Sequence, residues 1–233
     1  FTRPEEKVII QPPVYHPFRL VPLGNGREVV FNPLKENNGT YEMDFDNLQR
    51  VADDKCKLLI LCNPHNPAGV CWSRETLVRL ADFCRERNII VISDEIHCDM
   101  AIFGHKHIPF ASVSEAAREN SITFQAPTKT FNIAGLISSY AIVPNEQIRA
   151  KFYRWLQANE MDEATLFAPI ATIAAFENGE EWRRHMLEYV EDNVRFVEDY
   201  CRENIKGIRP WRPQASFLVW LDCRELNLSH DGL

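Results

Sequence analysis

No apolar stretch in this sequence approaches the roughly 18 to 20 residues a helix needs to cross a bilayer. No Lys/Arg block offers a stripe for phosphates, and no two cysteines stand in C-x-x-C spacing. The first absence excludes a helical membrane span, and Phe1 opens on polar sequence rather than a signal peptide, so a soluble protein with no membrane partner is expected. The second, with 26 basic against 33 acidic residues and a net charge of −7, argues against nucleic acid as a partner. The third, with an odd total of seven cysteines mostly inside apolar runs such as "LLILC", points to reduced core thiols rather than disulfides or zinc ligands. That favours the cytoplasm. There is no internal repeat and no low-complexity segment. A chain of 233 residues with 45% hydrophobic and 25% charged residues is globular, long enough for one large domain or one domain plus part of another.

What is present is an alternation of β-branched runs and helical patterns, the signature of an α/β layer fold. Leu58-Leu59-Ile60-Leu61 reads as a buried strand that runs into the breaker-rich "CNPHNPAG". A helix fits Ser73 to Arg87, with Ser73 as cap and Leu77, Leu80, Ala81 and Cys84 on one face. Ile89 to Ile92 is a second strand, too continuously apolar to be half exposed, ending at Ser93-Asp94-Glu95. Ser121 to Phe124 is a third and Leu136 to Val143 a fourth. Helical connections between strands imply a mostly parallel sheet with helices on both faces. "KVIIQPPVYHPF" reads as a strand followed by a loop. Residues 145–204 read as helices, the last of them long and amphipathic, with Met186, Tyr189, Val190, Val194 and Val197 on one face. "ASFLVWLDCR" begins a further strand for which the sequence offers no evident pairing partner.

In a parallel α/β sheet, ligands gather beyond the carboxyl ends of the strands. Asn66 follows the first of these strands, Asp94 and His97 end the second, and Lys129 follows the third in "QAPTKTFNIAGL". Taken singly, each has an ordinary reading: an Asx-turn, a helix cap, a core histidine, a surface lysine. Together they bring an amide, a carboxylate and an amine to one crevice.

The ordered segments Asn63-Pro64-His65-Asn66-Pro67-Ala68-Gly69, Asp94-Glu95-Ile96-His97 and Thr128-Lys129 resemble the marks of the fold type I pyridoxal-phosphate enzymes, the aspartate aminotransferase superfamily. "PPVYHPF", "DEIHCDM" and "KTFNIAGL" make the closest resemblance that to the cystathionine β-lyase type of carbon–sulfur lyase, the branch related to the maltose-regulon modulator. The resemblance implies pyridoxal 5'-phosphate as cofactor, with Lys129 as the Schiff-base lysine and later the proton-transfer base, its amine desolvated in a closed crevice. It further implies Asp94 as partner of the pyridinium nitrogen, Asn66 as donor to the 3-oxygen, Tyr15 as the aromatic stacked on the ring, and Thr128 as a phosphate contact. His97 stands where many aminotransferases place a tyrosine. A departure is Ile137, which occupies the position of an arginine that binds phosphate in many relatives.

The implied reaction is β-elimination of thiol from a sulfur-containing amino acid to give pyruvate and ammonia. The alternatives are transamination of an L-amino acid and a non-catalytic regulatory role. The implied organisation is a cofactor-binding large domain over residues 1–180, and a connecting helix with the start of a small α+β domain over 181–233. By the same resemblance, roughly the first quarter and last sixth of a full enzyme are absent from this sequence, including the arginine for the substrate carboxylate. A homodimer is expected of the intact protein.

Overall fold

The computed structural model describes residues 1–232. The chain runs β1 (Lys7–Ile10), α1 (Pro17–Gly24), β2 (Glu28–Phe31), β3 (Lys35–Glu36), β4 (Tyr41–Glu42), α2 (Phe45–Val51), β5 (Cys56–Cys62), α3 (Arg74–Glu86) and β6 (Ile90–Asp94). It continues through α4 (Glu115–Glu119), β7 (Ser121–Gln125), β8 (Tyr140–Ile142), α5 (Glu146–Ala158), α6 (Phe167–Asn178), α7 (Glu180–Asn204), β9 (Arg209–Trp211) and β10 (Trp220–Asp222). The main sheet has the order β2-β1-β5-β6-β7-β8, and only the β7–β8 pair is antiparallel.

Strand alternation sorts the side chains into two layers. Ile9, Leu59, Leu61 and Val91 pack against Leu48 of α2, Leu77, Leu80 and Cys84 of α3, and Ala117 of α4. Val8, Ile10, Leu58 and Cys62 face the other way, against Phe18 of α1. Farther along this second face, Phe152 of α5 meets Phe124 edge-on at 5.7 Å. Helices therefore lie on both faces, as expected. The α3 helix starts where its sequence says it should: the Ser73 hydroxyl accepts the Thr76 N–H at 3.2 Å.

Several local expectations are corrected. The second strand is not buried throughout, because Ile90 and Ile92 on the α5 side are only partly covered. The stretch expected as a strand from Leu136 is a 3-10 turn, Ala134–Leu136, and only Tyr140–Ile142 pairs. Ile137 sits in the left-handed region at φ 50°, which no strand residue can adopt. The loop expected after β1 gives way at Pro17 to α1. The strand expected from Ala215 is interrupted by Ser216 at φ 75°, resumes at Trp220, and does find a partner: β9, antiparallel, with Trp220 opposite Trp211. On α7, Val194 is buried and Met186, Val190 and Val197 are partly so, but Tyr189 points to solvent. Cys201 takes a place in the buried stripe instead.

Candidate active site

The sheet order sets β1, β5, β6 and β7 side by side, so the segments after their carboxyl ends are neighbours. In register, Cys62 lies opposite Asp94 and Asp94 opposite Phe124. Tyr15 follows β1, Asn66 follows β5, Asp94 ends β6, and Thr128 and Lys129 follow β7. A cavity of about 370 Å³ opens there, lined by Tyr15, Phe18, Asp94, Ile96, Ala126 and Ser139 among others.

Asp94 is half-buried, and its Oδ1 accepts the Ile96 N–H at 3.1 Å. Burial raises its pKa, the neighbouring Glu95 charge adds to the rise, and the Ile96 N–H opposes it. His97 is 2% exposed, and neither ring nitrogen has a hydrogen-bond partner. Burial, with help from the Lys129 charge, pushes its pKa down to about 4, so the imidazole is neutral at physiological pH. Phe217 closes over it edge-on at 5.8 Å.

Asn66 is half-buried, and its backbone N–H donates to the Cys62 thiol at 3.2 Å. Burial pushes that thiol far above its ordinary pKa, so it stays protonated and donates a hydrogen bond to the Pro64 carbonyl. Thr128 is buried, and its carbonyl holds the Ile133 N–H at 3.0 Å, curling the lysine loop. Tyr15 is 46% exposed and lines the cavity rather than the core. Lys129 is exposed, so the closed crevice expected around its amine is not built by these residues alone. Nor do Asn66, His97, Thr128 or Lys129 line the cavity that holds Tyr15 and Asp94.

Gly69 explains the end of the first motif. At φ +66° it turns back on residues 213–215, and a Cβ there would stand 2.6 Å from Pro213 Cβ. The Gly69 carbonyl accepts the N–H groups of Gln214 and Ala215, which brings Phe217 to His97. Arg224, in turn, is held by Asp222 and Glu36, away from this cluster.

The donor set fits pyridoxal phosphate: a carboxylate costly to ionise without a cationic partner, a buried imidazole with two free nitrogens, an exposed amine, and an aromatic face at the mouth. The family model of class I and II aminotransferases matches residues 1–231. The chain belongs to this family. As an aminotransferase class I and II chain it is 44% identical over 98% of its length to cystathionine beta-lyase PatB of Bacillus subtilis (strain 168), and spans 59% of that protein. It is 32% identical to protein MalY of Escherichia coli (strain K12), over 98% of this chain and 58% of MalY. Cystalysin of Treponema denticola, whose crystal structure contains pyridoxal 5'-phosphate, superposes with a TM-score of 0.96 at 33% identity, over 99% of this chain and 59% of cystalysin.

Within this family member, sequence reasoning passed over Ile96 and Ser139 in the cavity wall and Phe217 against His97. Ile96 carried a usable signal, standing two residues after Asp94. Phe217 carried none, since only the distant docking of residues 213–215 on Gly69 brings it there.

Proposed function

We propose that the whole protein is a pyridoxal-phosphate-dependent carbon–sulfur β-lyase of the cystathionine β-lyase type. The observation that carries this reading is the 44% identity to PatB across 98% of the chain, with Tyr15, Asn66, Asp94 and Lys129 at four adjacent strand ends. Pyridoxal phosphate supplies an electron sink for the electron pair left on the substrate α-carbon.

Asp94 holds the proton of the ring nitrogen in a charged pair, which offsets the burial that raises its pKa. Asn66 would donate to the ring oxygen, Tyr15 would cover one ring face, and the Thr128 hydroxyl would donate to the phosphate. With Ile137 in place of an arginine, that phosphate rests on hydroxyls and backbone N–H groups. His97, neutral beside Lys129, offers a hydrogen bond without adding a second positive charge. Lys129 Nζ would hold the cofactor and would be the base for the substrate α-proton. The substrate carbon–sulfur bond then breaks, thiolate departs, and water releases pyruvate and ammonia.

The same proposal takes residues 1–180 as the cofactor-binding large domain and 181–233 as the connecting helix and opening of a small domain. A homodimer is supported by the exposed apolar side chains of α6, among them Phe167, Ile170, Ile173 and Phe176. A cytoplasmic site is supported by seven free cysteines.

The test gives the full-length protein pyridoxal phosphate and L-cystathionine, with no keto acid. Pyruvate and free thiol are expected. A new amino acid formed only when a keto acid is added would replace this reading with a class I/II aminotransferase acting on an L-amino acid. Tight cofactor binding with neither product would leave a regulatory protein.

A further inference from the structure

Alternation sends Asp94 and Glu95 to opposite faces of the sheet. Asp94 follows Ile90 and Ile92 toward the cavity, while Glu95 follows Val91 and Ser93 into the buried layer and is 0% exposed. A carboxylate so deep is tolerable only if its oxygens are satisfied. They are. Oε1 accepts from the Ser93 hydroxyl and the Phe110 N–H, both at 2.8 Å. Oε2 pairs with His107 Nε2 at 2.9 Å and accepts from Gln125 Nε2 at 3.1 Å. Gln125 Oε1 in turn accepts from the Tyr140 hydroxyl at 2.9 Å.

These contacts cross the sheet at the height of the site. Gln125 is the last residue of β7 and leads directly into Ala126-Pro127-Thr128-Lys129; Tyr140 is the first residue of β8. The Glu95 N–H adds a bond to the Phe124 carbonyl at 2.8 Å. We propose that Glu95 is a positioning residue of the cofactor site: its carboxylate bolts the strand end carrying Asp94 to the strand end leading to Lys129. The inference rests on the role given to Asp94 in the proposed function.

Charged and titratable groups surround this pair, and His105, Lys106, Glu180 and Arg183 line the cavity on the Glu95 side. Cys62 on β5 and Tyr15 across the cavity flank Asp94. His107, Tyr140, Cys98 and Asp99 stand on the Glu95 side, with Tyr140 and Cys98 each pushed up to about 12, chiefly by burial. Glu95 is the negative charge that acts on Asp94, in the direction that raises it. Removing it must move Asp94 ionisation to lower pH.

The full-length protein is titrated with pyridoxal phosphate across the acid range as wild type, Glu95→Gln and Tyr140→Phe, and binding is read by equilibrium dialysis. Glu95→Gln is expected to weaken binding roughly tenfold at neutral pH. It should also move the acid limb of binding to lower pH. Tyr140→Phe keeps the charge and breaks the last link, so it should weaken binding severalfold with the acid limb in place. A Glu95→Gln protein with wild-type affinity and acid limb overturns the proposal. If that variant fails to fold, wild-type affinity in Tyr140→Phe overturns it instead. A wild-type protein that binds no pyridoxal phosphate refutes the proposed function itself, and the positioning role with it.

Discussion

Burial raises the pKa of Asp94 and lowers those of His97 and His65, so at these three residues the folded chain takes up protons at a different pH from the unfolded one. For Asp94, a raised folded pKa means that ionisation costs stability once the pH passes through it. Asp94→Asn is therefore expected to stabilise the cofactor-free protein at pH 7 by about 0.5–2 kcal/mol while sharply weakening pyridoxal phosphate binding. Urea denaturation alongside a cofactor titration checks both halves, and a loss of stability would make Asp94 a structural carboxylate. For the histidines the sign is opposite. With folded pKa values of about 4 against an ordinary 6.5, the unfolded chain binds protons that the native one refuses, so stability falls as pH drops from 7 toward 5. Each histidine accounts for about 2 kcal/mol of that fall. His65→Phe should remove its share of the slope, measured by denaturant midpoints at the two pH values. At this scale the placement of Asn66, Asp94 and Lys129 at strand ends was legible, because the runs that precede them read as strands. The exposure of Lys129 was not, since burial of a loop side chain depends on segments far away in sequence.

Among the elements, Gly69 and Ile137 both stand in left-handed backbone, and they make opposite predictions. Gly69 needs its lack of a Cβ, since Pro213 would be 2.6 Å away. Gly69→Ala is expected to cost about 1–3 kcal/mol and to loosen residues 213–217 from the site, seen as faster hydrogen exchange at Gln214 and Ala215. Ile137 is a β-branched residue at φ 50° with 80% of its surface exposed. Ile137→Gly should raise stability by about 1 kcal/mol, read from thermal or denaturant unfolding. Unchanged stability would mean the turn relaxes around isoleucine. The same residue shows why the fourth strand is shorter than the sequence suggests: its apolar composition reads as β, but the backbone sign is invisible in a hydropathy pattern. By contrast β5, α3, β6 and β7 were legible because each buries a face whose period is written locally. The pairing of β10 with β9 is a contact between segments neither of which carries a strong period of its own.

At the scale of the whole molecule, the chain spans 59% of PatB and of cystalysin, and it leaves Phe167, Ile170, Ile173 and Trp155 exposed. No helix among the described residues is long and apolar enough to cross a membrane. The sheet nevertheless brings Tyr15, Asn66, Asp94 and Lys129 to adjacent strand ends, where Lys129 is proposed to hold pyridoxal phosphate. The direct measurement loads the full-length protein with pyridoxal phosphate, reduces it with borohydride and maps the modified lysine by mass spectrometry. A single modified peptide containing Lys129 is expected, absent from Lys129→Ala. Modification of another lysine, or equal labelling of the Lys129→Ala protein, would contradict it.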